Sequence, residues 1–239
     1  MRIEDIDGER SKPELVDEFR KDLEWLGLEW EEVPAQSTRY ESYKEAADRL
    51  AEMELLYPCQ CTRTEIAQSA TEKGPEGLIY PGTCKCRDID PDEPVGWRLN
   101  MQQAVERAGP LQWEDDLAGT QLADPASFGD VMLVRKFLPS SYHLAATLDD
   151  AADGVTLVTR GQDLFRATHV HRLLQALLDL PVPRWHHHPI LLDEEGRKLA
   201  KRRGSASLSD LREAGEDGKL IAEQLRLRRL PSGISFENA

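Results

Sequence analysis

The chain contains no run approaching the ~18 consecutive apolar residues of a spanning helix, and its opening Met1-Arg-Ile-Glu-Asp is not a basic and then apolar leader. That excludes a helical membrane anchor in the sequence and points to the cytoplasm. Aromatic residues are scarce at 6%, and mean hydropathy is −0.55. Basic side chains are the minority charge, 30 against 44 acidic in 239 residues, for a net charge of −14. A generally basic nucleic-acid coat protein is thereby excluded, and an RNA partner has to be met by a local basic surface. Cysteine is limited to four residues, all between Cys59 and Cys86. In a leaderless chain, where the environment is reducing, such clustering favours a thiolate metal site over a disulfide framework. What remains, 40% hydrophobic residues, is enough for one large soluble domain or two small ones.

Along the chain, Met1 to Gly8 reads as a strand end running into a turn. Ser11 and Glu14 form a capping box around Lys12-Pro13, and Leu15, Phe19, Leu23 and Leu26 follow at helical spacing until Gly27. A second helix is predicted from about Ser37, with Tyr43, Ala47, Leu50 and Leu55 inward and Tyr57-Pro58 as its stop. A short strand followed by helices implies an α/β layer arrangement. From Pro58 to Pro94 the composition turns to Cys, Gly, Pro and charge, an irregular insert. Val95–Leu99, Leu111–Asp115 and Asp130–Arg135 read as edge or hairpin strands. Tyr142–Asp150 reads as a helix or extended stretch, and Gly154–Gly161 as a buried strand. Thr168 is expected to cap a helix carrying Val170, Leu173, Leu174, Leu177 and Leu178 up to Pro181. Pro189–Asp193 reads as a further strand, and terminal helices are expected around Leu208–Ala214 and Leu220–Leu230.

Five groups of residues can carry chemistry. Cys59, Cys61, Tyr80, Cys84 and Cys86 supply up to five soft or phenolic ligands in a segment with little apolar content. Tetrahedral zinc takes four, so the choice lies between four thiolates and three thiolates with a tyrosine oxygen, and the full ligand count favours a structural ion. Glu4, Asp5 and Asp7 suit an ammonium group or a metal, or form a solvated turn. Arg160, at the end of an apolar strand just before Gly161, lies where parallel sheets bind ligands, and its guanidinium suits a carboxylate or an ordinary surface ion pair. Consecutive His186, His187 and His188 point in different directions on a strand, which favours a polar approach to Pro189 over a ligand set. Finally, Arg197 to Ser205 concentrates cations. Between Arg184 and Arg229 there are eleven basic and eight acidic residues, a local excess of +3. Lysines there suit nucleotide phosphates, and a solvated charge run is the plainer reading.

Taken in order, Arg2-Ile-Glu-Asp-Ile-Asp, Gln36-Ser-Thr-Arg-Tyr, Leu56-Tyr-Pro-Cys-Gln-Cys-Thr-Arg, Phe128-Gly-Asp, Tyr142-His-Leu-Ala, Arg160-Gly-Gln-Asp-Leu and Lys198-Leu-Ala-Lys201-Arg resemble the class I aminoacyl-tRNA synthetases of the glutamyl type, and within them the glutamyl-Q tRNA(Asp) synthetases. The last segment is similar to the KMSKS loop. Each motif is weak alone; their ordered combination over nearly the whole chain is specific.

The resemblance implies a Rossmann-like parallel sheet divided between residues 1–57 and 141–203, a zinc-binding insert at 58–94, a strand-containing insert at 95–140 and C-terminal helices at 204–239. It implies that Glu4 contacts the amino group of glutamate, that Tyr142 and Arg160 complete the amino-acid pocket, that Lys198 and Lys201 serve catalysis and that Lys201 meets ATP. It implies a zinc set of Cys59, Cys61, Tyr80 and Cys84, with Cys86 left over as an alternative to Tyr80. The expected reaction is ATP-dependent activation of glutamate, with Mg²⁺ accompanying ATP, and transfer to queuosine at the wobble position of tRNA(Asp). The expected state is a monomer with no membrane partner.

In this family a strand and a P-[ST]-G-x-x-H-x-G segment precede R-I-E-D, so the resemblance implies a further βα unit upstream of Met1. Residues 203–239 are too short for an anticodon-binding domain, which favours the glutamyl-Q branch. Ala146 and Ala200 stand where many relatives have polar residues. Two competing readings are a non-catalytic, synthetase-derived zinc and RNA-binding protein and a shortened glutamyl-tRNA synthetase.

Overall fold

The computed structural model describes residues 1–7, 11–90, 92–199 and 207–237. The chain divides into one unit made of residues 1–34 and 188–239 and a larger unit of residues 35–187. In the first, residues 1–7 form no strand and end in a turn. Helix α1 (Pro13–Trp25) starts one residue later than a Ser11 cap requires. Pro13 takes the first helical position, Lys12 becomes the N-cap, and no side chain caps the helix. Its apolar stripe is not buried: Leu15 is 53% and Phe19 59% exposed.

The larger unit opens with a short 3-10 turn at Gln36–Thr38, then α2 (Tyr40–Glu52), whose Tyr43, Ala46, Ala47 and Leu50 are buried. The helix ends before Leu55, which still enters the core. Tyr57-Pro58 does not merely stop it but lies within strand β1 (Leu56–Cys59). Proline is tolerated because β1 is an edge of its sheet. Next come α3 (Arg63–Ser69), which begins at a Thr62/Glu65 capping box, and the small hairpin β2 (Lys73–Gly74) with β3 (Gly77–Leu78). Strand β4 (Gly96–Leu99) pairs antiparallel with β1 and with β7, so it is central rather than an edge.

After β4, α4 (Met101–Ala108) leads to β5 (Gln112–Asp115) and its hairpin partner β6 (Gly119–Leu122), and β7 spans Met132–Val134. Tyr142–Ala152 is helix, α5. Strand β8 (Leu157–Gly161) is partly exposed instead of buried, being the outer strand of a four-stranded sheet. Helix α6 (Ala167–Leu178) buries Val170, Leu173, Leu174, Leu177 and Leu178 and stops at Asp179 in the left-handed region. Thr168 sits inside this helix rather than capping it. Strand β9 (Arg184–His188) completes the sheet, in the order β6-β5-β9-β8. That sheet is mixed: β5 runs parallel to β9 and antiparallel to β6. The main core lies where α2, α4, α5 and α6 close on β4 and β7, through Leu50, Leu99, Leu133, Leu144, Val170, Leu173 and Leu174. Seven side chains of that size, each buried for roughly 1.5–3 kcal/mol, make this the stabilising centre of the unit.

Back in the first unit, β10 (Leu191–Leu192) is followed by α7 (Leu208–Glu213) and α8 (Gly218–Arg226), and β11 (Ser235–Phe236) pairs with β10. Helix α7 packs on α1, fastened by Arg212, which donates to Glu18 and Asp22 at 2.6 and 3.1 Å. Gly218 starts α8 directly against the ring and carbonyl of Trp25, where a Cβ has no room. None of the described helices is long and apolar enough to cross a membrane.

Candidate functional site

Arg160 lies near the end of β8, and three other elements bring polar groups to its guanidinium. The start of α5 supplies Tyr142, whose hydroxyl accepts from Nη1 at 3.1 Å. Helix α6 supplies Thr168 and, three residues on and therefore on the same face, His171. The Thr168 hydroxyl accepts from Nη2, and His171 Nδ1 lies 3.3 Å from Nη1. Strand β9 supplies His187, whose Nε2 accepts from Arg160 Nε at 3.1 Å, and the Leu164 carbonyl accepts from Nη2 at 3.3 Å. All of these acceptors are neutral groups. Among the described residues no carboxylate pairs with Arg160, so the web orients a cation and leaves its charge uncompensated.

His187 can accept because Asp115 fixes its tautomer. The Nδ1–H donates to Asp115 Oδ2 at 2.7 Å, which leaves a lone pair on Nε2 for Arg160. Asp115 is itself saturated with donors: Oδ2 also accepts from the His187 amide, and Oδ1 from the amides of Leu117 and Ala118. Burial pushes its pKa up, but the hydrogen bonds from His187 and from those amides outweigh burial and hold it below the ordinary value. Burial also dominates His187, whose pKa is lowered even though Asp115 opposes the shift. His171 is held well below the ordinary imidazole value, first by burial and then by the charge of Arg160. Rings enclose the pair: Phe165 lies 5.0 Å and Trp113 5.8 Å from His187, centre to centre.

The second constellation is the cysteine segment. The sulfurs of Cys59, Cys61 and Cys84 all lie within 4.8 Å of one another. The Tyr80 hydroxyl stands 3.5 Å from Cys59 Sγ and 3.4 Å from Cys61 Sγ, and Cys86 is exposed. A tetrahedral zinc with Zn–S about 2.3 Å and Zn–O about 2.0 Å requires S···O near 3.5 Å and S···S near 3.8 Å. The three thiols and the phenol fit that ion, whereas Cys86 is not among the clustered donors. Burial pushes Cys61 up to about 11. Burial also pushes Cys84 upward, but hydrogen bonds, first that of Tyr80, outweigh it and hold Cys84 at about 7. Arg98 completes the group, its guanidinium 3.8 Å over the Tyr80 ring and its Nε donating to Cys59 Sγ at 3.3 Å. A buried cation there offsets the negative charge of three thiolates.

The other expected residues are placed as follows. Glu4 is exposed and accepts from Arg2 at 3.4 Å. Lys198 is exposed, and its backbone bridges to Leu192. Lys201 and Ala200 lie outside the described residues. His186 is half-buried and His188 exposed, so the histidine triplet forms no ligand set among the described residues. Two motifs serve the framework. In Gln36-Ser-Thr-Arg-Tyr, Gln36 donates to buried Asp149 at 2.8 Å, Arg39 pairs with Asp149 and Asp153, and nearby Tyr43 donates to Asp149. In Phe128-Gly-Asp, Asp130 accepts from Tyr57 and from the Met101 amide at the start of α4.

Asp115, His187 and Arg98 were missed from sequence. A signal for His187 existed: on a strand Trp185 and His187 share a face, and both are 1% exposed. Arg98 shares a strand face with buried Gly96 in the same way, but nothing local to it marks the thiol partners contributed by residues 59–84.

The model of the class I tRNA synthetase (E and Q) catalytic domain matches residues 1–235. The glutamyl-Q tRNA(Asp) synthetase of Rhodobacter capsulatus is 42% identical over 235 residues, covering 90% of this chain and 83% of that protein. Its counterpart in Symbiobacterium thermophilum is 37% identical, covering 94% and 74%. The crystal structure of the glutamate-tRNA synthetase from Elizabethkingia anophelis superposes with a TM-score of 0.68 at 23% identity, over 85% of this chain and 46% of that one. That likeness shows the fold, and the chain spans less than half of the structure it matches.

Proposed function

The chain belongs to the class I tRNA synthetase family for glutamate and glutamine, a family of ATP-using ligases, and from that premise we propose that it activates glutamate with ATP and Mg²⁺ and transfers it to queuosine of tRNA(Asp). The observation that carries this reading is the Arg160 guanidinium, held by five neutral acceptors with no carboxylate partner among the described residues. A substrate carboxylate supplies the missing charge, and glutamine, whose side chain is neutral, does not supply it on the distal group. Tyr142 joins Arg160 in that grip, Glu4 takes the ammonium, and Lys198 and Lys201 meet ATP and offset charge developing on its phosphates. The glutamyl-Q names of the two relatives above support queuosine as the acceptor.

Zinc is the ion assigned to Cys59, Cys61, Tyr80 and Cys84. When bound it stabilises the insert at 58–94, where apolar cover is limited to side chains such as Tyr57, Ile66, Ile89 and Met132. The segments 1–57 and 141–203 form the nucleotide-binding part, 95–140 a strand-containing insert and 204–239 a helical end. The protein works as a cytoplasmic monomer.

The test is pyrophosphate exchange into ATP. Exchange dependent on glutamate and not on glutamine is expected. Exchange absent with glutamate, in a protein that still binds zinc, overturns the reading in favour of a non-catalytic binding module.

A further inference from the structure

Helix α8 ends among arginines. Leu227 is its C-cap, and the chain leaves through Arg228, whose φ of 55° is left-handed. The Arg228 amide donates to the Leu225 carbonyl at 2.9 Å and the Arg229 amide to that of Gln224 at 2.8 Å, the bond pair of a Schellman turn. That turn ordinarily places glycine at the left-handed position, because a Cβ is disfavoured there. Here the position holds an arginine, with Arg226 in the last helical turn before it and Arg229 after it, and all three are exposed.

The three also lack carboxylate partners. Residues 1–34 and 188–239 contain seven described arginines. Arg2, Arg20, Arg197 and Arg212 are ion-paired, with Glu4, Glu32, Asp193 and Glu18 respectively. Arg226, Arg228 and Arg229 pair with no carboxylate among the described residues. In a chain with 44 acidic side chains against 30 basic, three such cations within four residues are an exception. The helix dipole favours a cation near the last turn, which accounts for Arg226. It does not account for arginine at the glycine position: strain held at an exposed, unpaired residue points to a task outside the fold.

We propose that Arg226, Arg228 and Arg229 form a docking patch for the phosphodiester backbone of RNA, the local basic surface that a chain of net charge −14 needs to hold such a partner. Guanidinium groups suit phosphate oxygens, and contacts of this kind fix position without reading sequence. The patch anchors the RNA by its backbone and leaves the choice of nucleotide to the site of reaction. It rests on the glutamyl-transfer reading for the identity of the partner, which is why RNA is favoured over a lipid surface offering similar phosphates.

Unfractionated tRNA is the probe, with its binding to the full chain read by fluorescence anisotropy as salt rises from about 50 to 200 mM. The triple variant Arg226→Gln, Arg228→Gln, Arg229→Gln is expected to weaken binding at least tenfold at the low end. Its log–log salt slope should flatten by about two to three, roughly 0.7–0.9 for each lost phosphate contact. A control with Lys21→Gln, Lys44→Gln and Arg107→Gln removes as many charges elsewhere and should stay within about twofold of the parent. Arg228→Gly separates the patch from a helix cap: it is expected to raise the urea midpoint by relieving the left-handed residue, while weakening tRNA binding about threefold. No tRNA binding by the parent, parent-like affinity and slope in the triple variant, an equal loss in the charge control, or unchanged tRNA binding in Arg228→Gly overturns the patch. So does loss of binding to phosphatidylglycerol vesicles in the triple variant with tRNA binding intact, which assigns the arginines to a lipid surface. Glutamate-dependent exchange on the same preparations, run without RNA, reports separately on the transfer reading.

Discussion

Replacing Asp115 by Asn changes one atom and tests whether Arg160 is oriented through His187. The carboxylate of Asp115 accepts four hydrogen bonds and donates none. An amide has a donor where one oxygen stood. With that donor facing Leu117 and Ala118, the amides of those two exposed residues lose their acceptor. With it facing His187, the ring must move its proton to Nε2, and Nε2–H then opposes Arg160 Nε–H across 3.1 Å. Either arrangement forfeits a bond to a charged group, about 1.5–3 kcal/mol, and leaves a donor unpaired for about 1–3 kcal/mol. Only the second arrangement disturbs Arg160, by about 1.4–3 kcal/mol in glutamate affinity, which is roughly a tenfold to hundredfold rise in Kd. Calorimetry with glutamate, beside ATP as a control, reads it: glutamate weakens and ATP stays within twofold. Thr168→Val provides a second reading with little loss of volume, removing one Arg160 acceptor, and is expected to weaken glutamate about threefold to tenfold. Unchanged glutamate affinity in both folded variants refutes the positioning argument.

Metal analysis of the purified protein should give one zinc per chain, kept by Cys86→Ser and lost by Cys84→Ser; loss in Cys86→Ser would displace Tyr80 from the ligand set. Asp149→Ala strips Gln36, Arg39 and Tyr43 of a buried partner and should cost about 3–5 kcal/mol in urea unfolding, so a cost below about 1 kcal/mol contradicts its framework role. His169, His171 and His187 are all held below the ordinary value of 6.5, burial being the largest cause in each. A base with a depressed folded pKa leaves the unfolded chain holding more protons, so stability is full above about pH 6.5 and falls as the pH drops below it. The urea midpoint should therefore decline from pH 7.5 to 5.5, and a flat profile would count against buried neutral imidazoles.

The elements were legible wherever one periodicity persisted. Leu173, Leu174, Leu177 and Leu178 announced α6, and the terminal helices lie where their spacing puts them. Terminal detail was less legible because it turns on competition. Thr168 is a good cap by composition, but its hydroxyl is taken by Arg160 and His187. Pro13 preempted Ser11 by fixing the first helical residue. The reading of Val95–Leu99 as an edge or hairpin strand missed its central place for a similar reason: pairing with β1 and β7 is a tertiary fact that so short a run does not encode. At the site, Arg160 and the thiols were visible as residue types in telling places. Asp115 and His187 were not, since their meeting depends on β5 and β9 lying side by side, seventy-odd positions apart in sequence.

The most direct test of the central claim compares binding of L-glutamate and L-glutamine to the parent chain and to Arg160→Ala. The parent should favour glutamate at least tenfold, and the substitution should abolish that preference. Discrimination that survives in Arg160→Ala would show that another group reads the carboxylate.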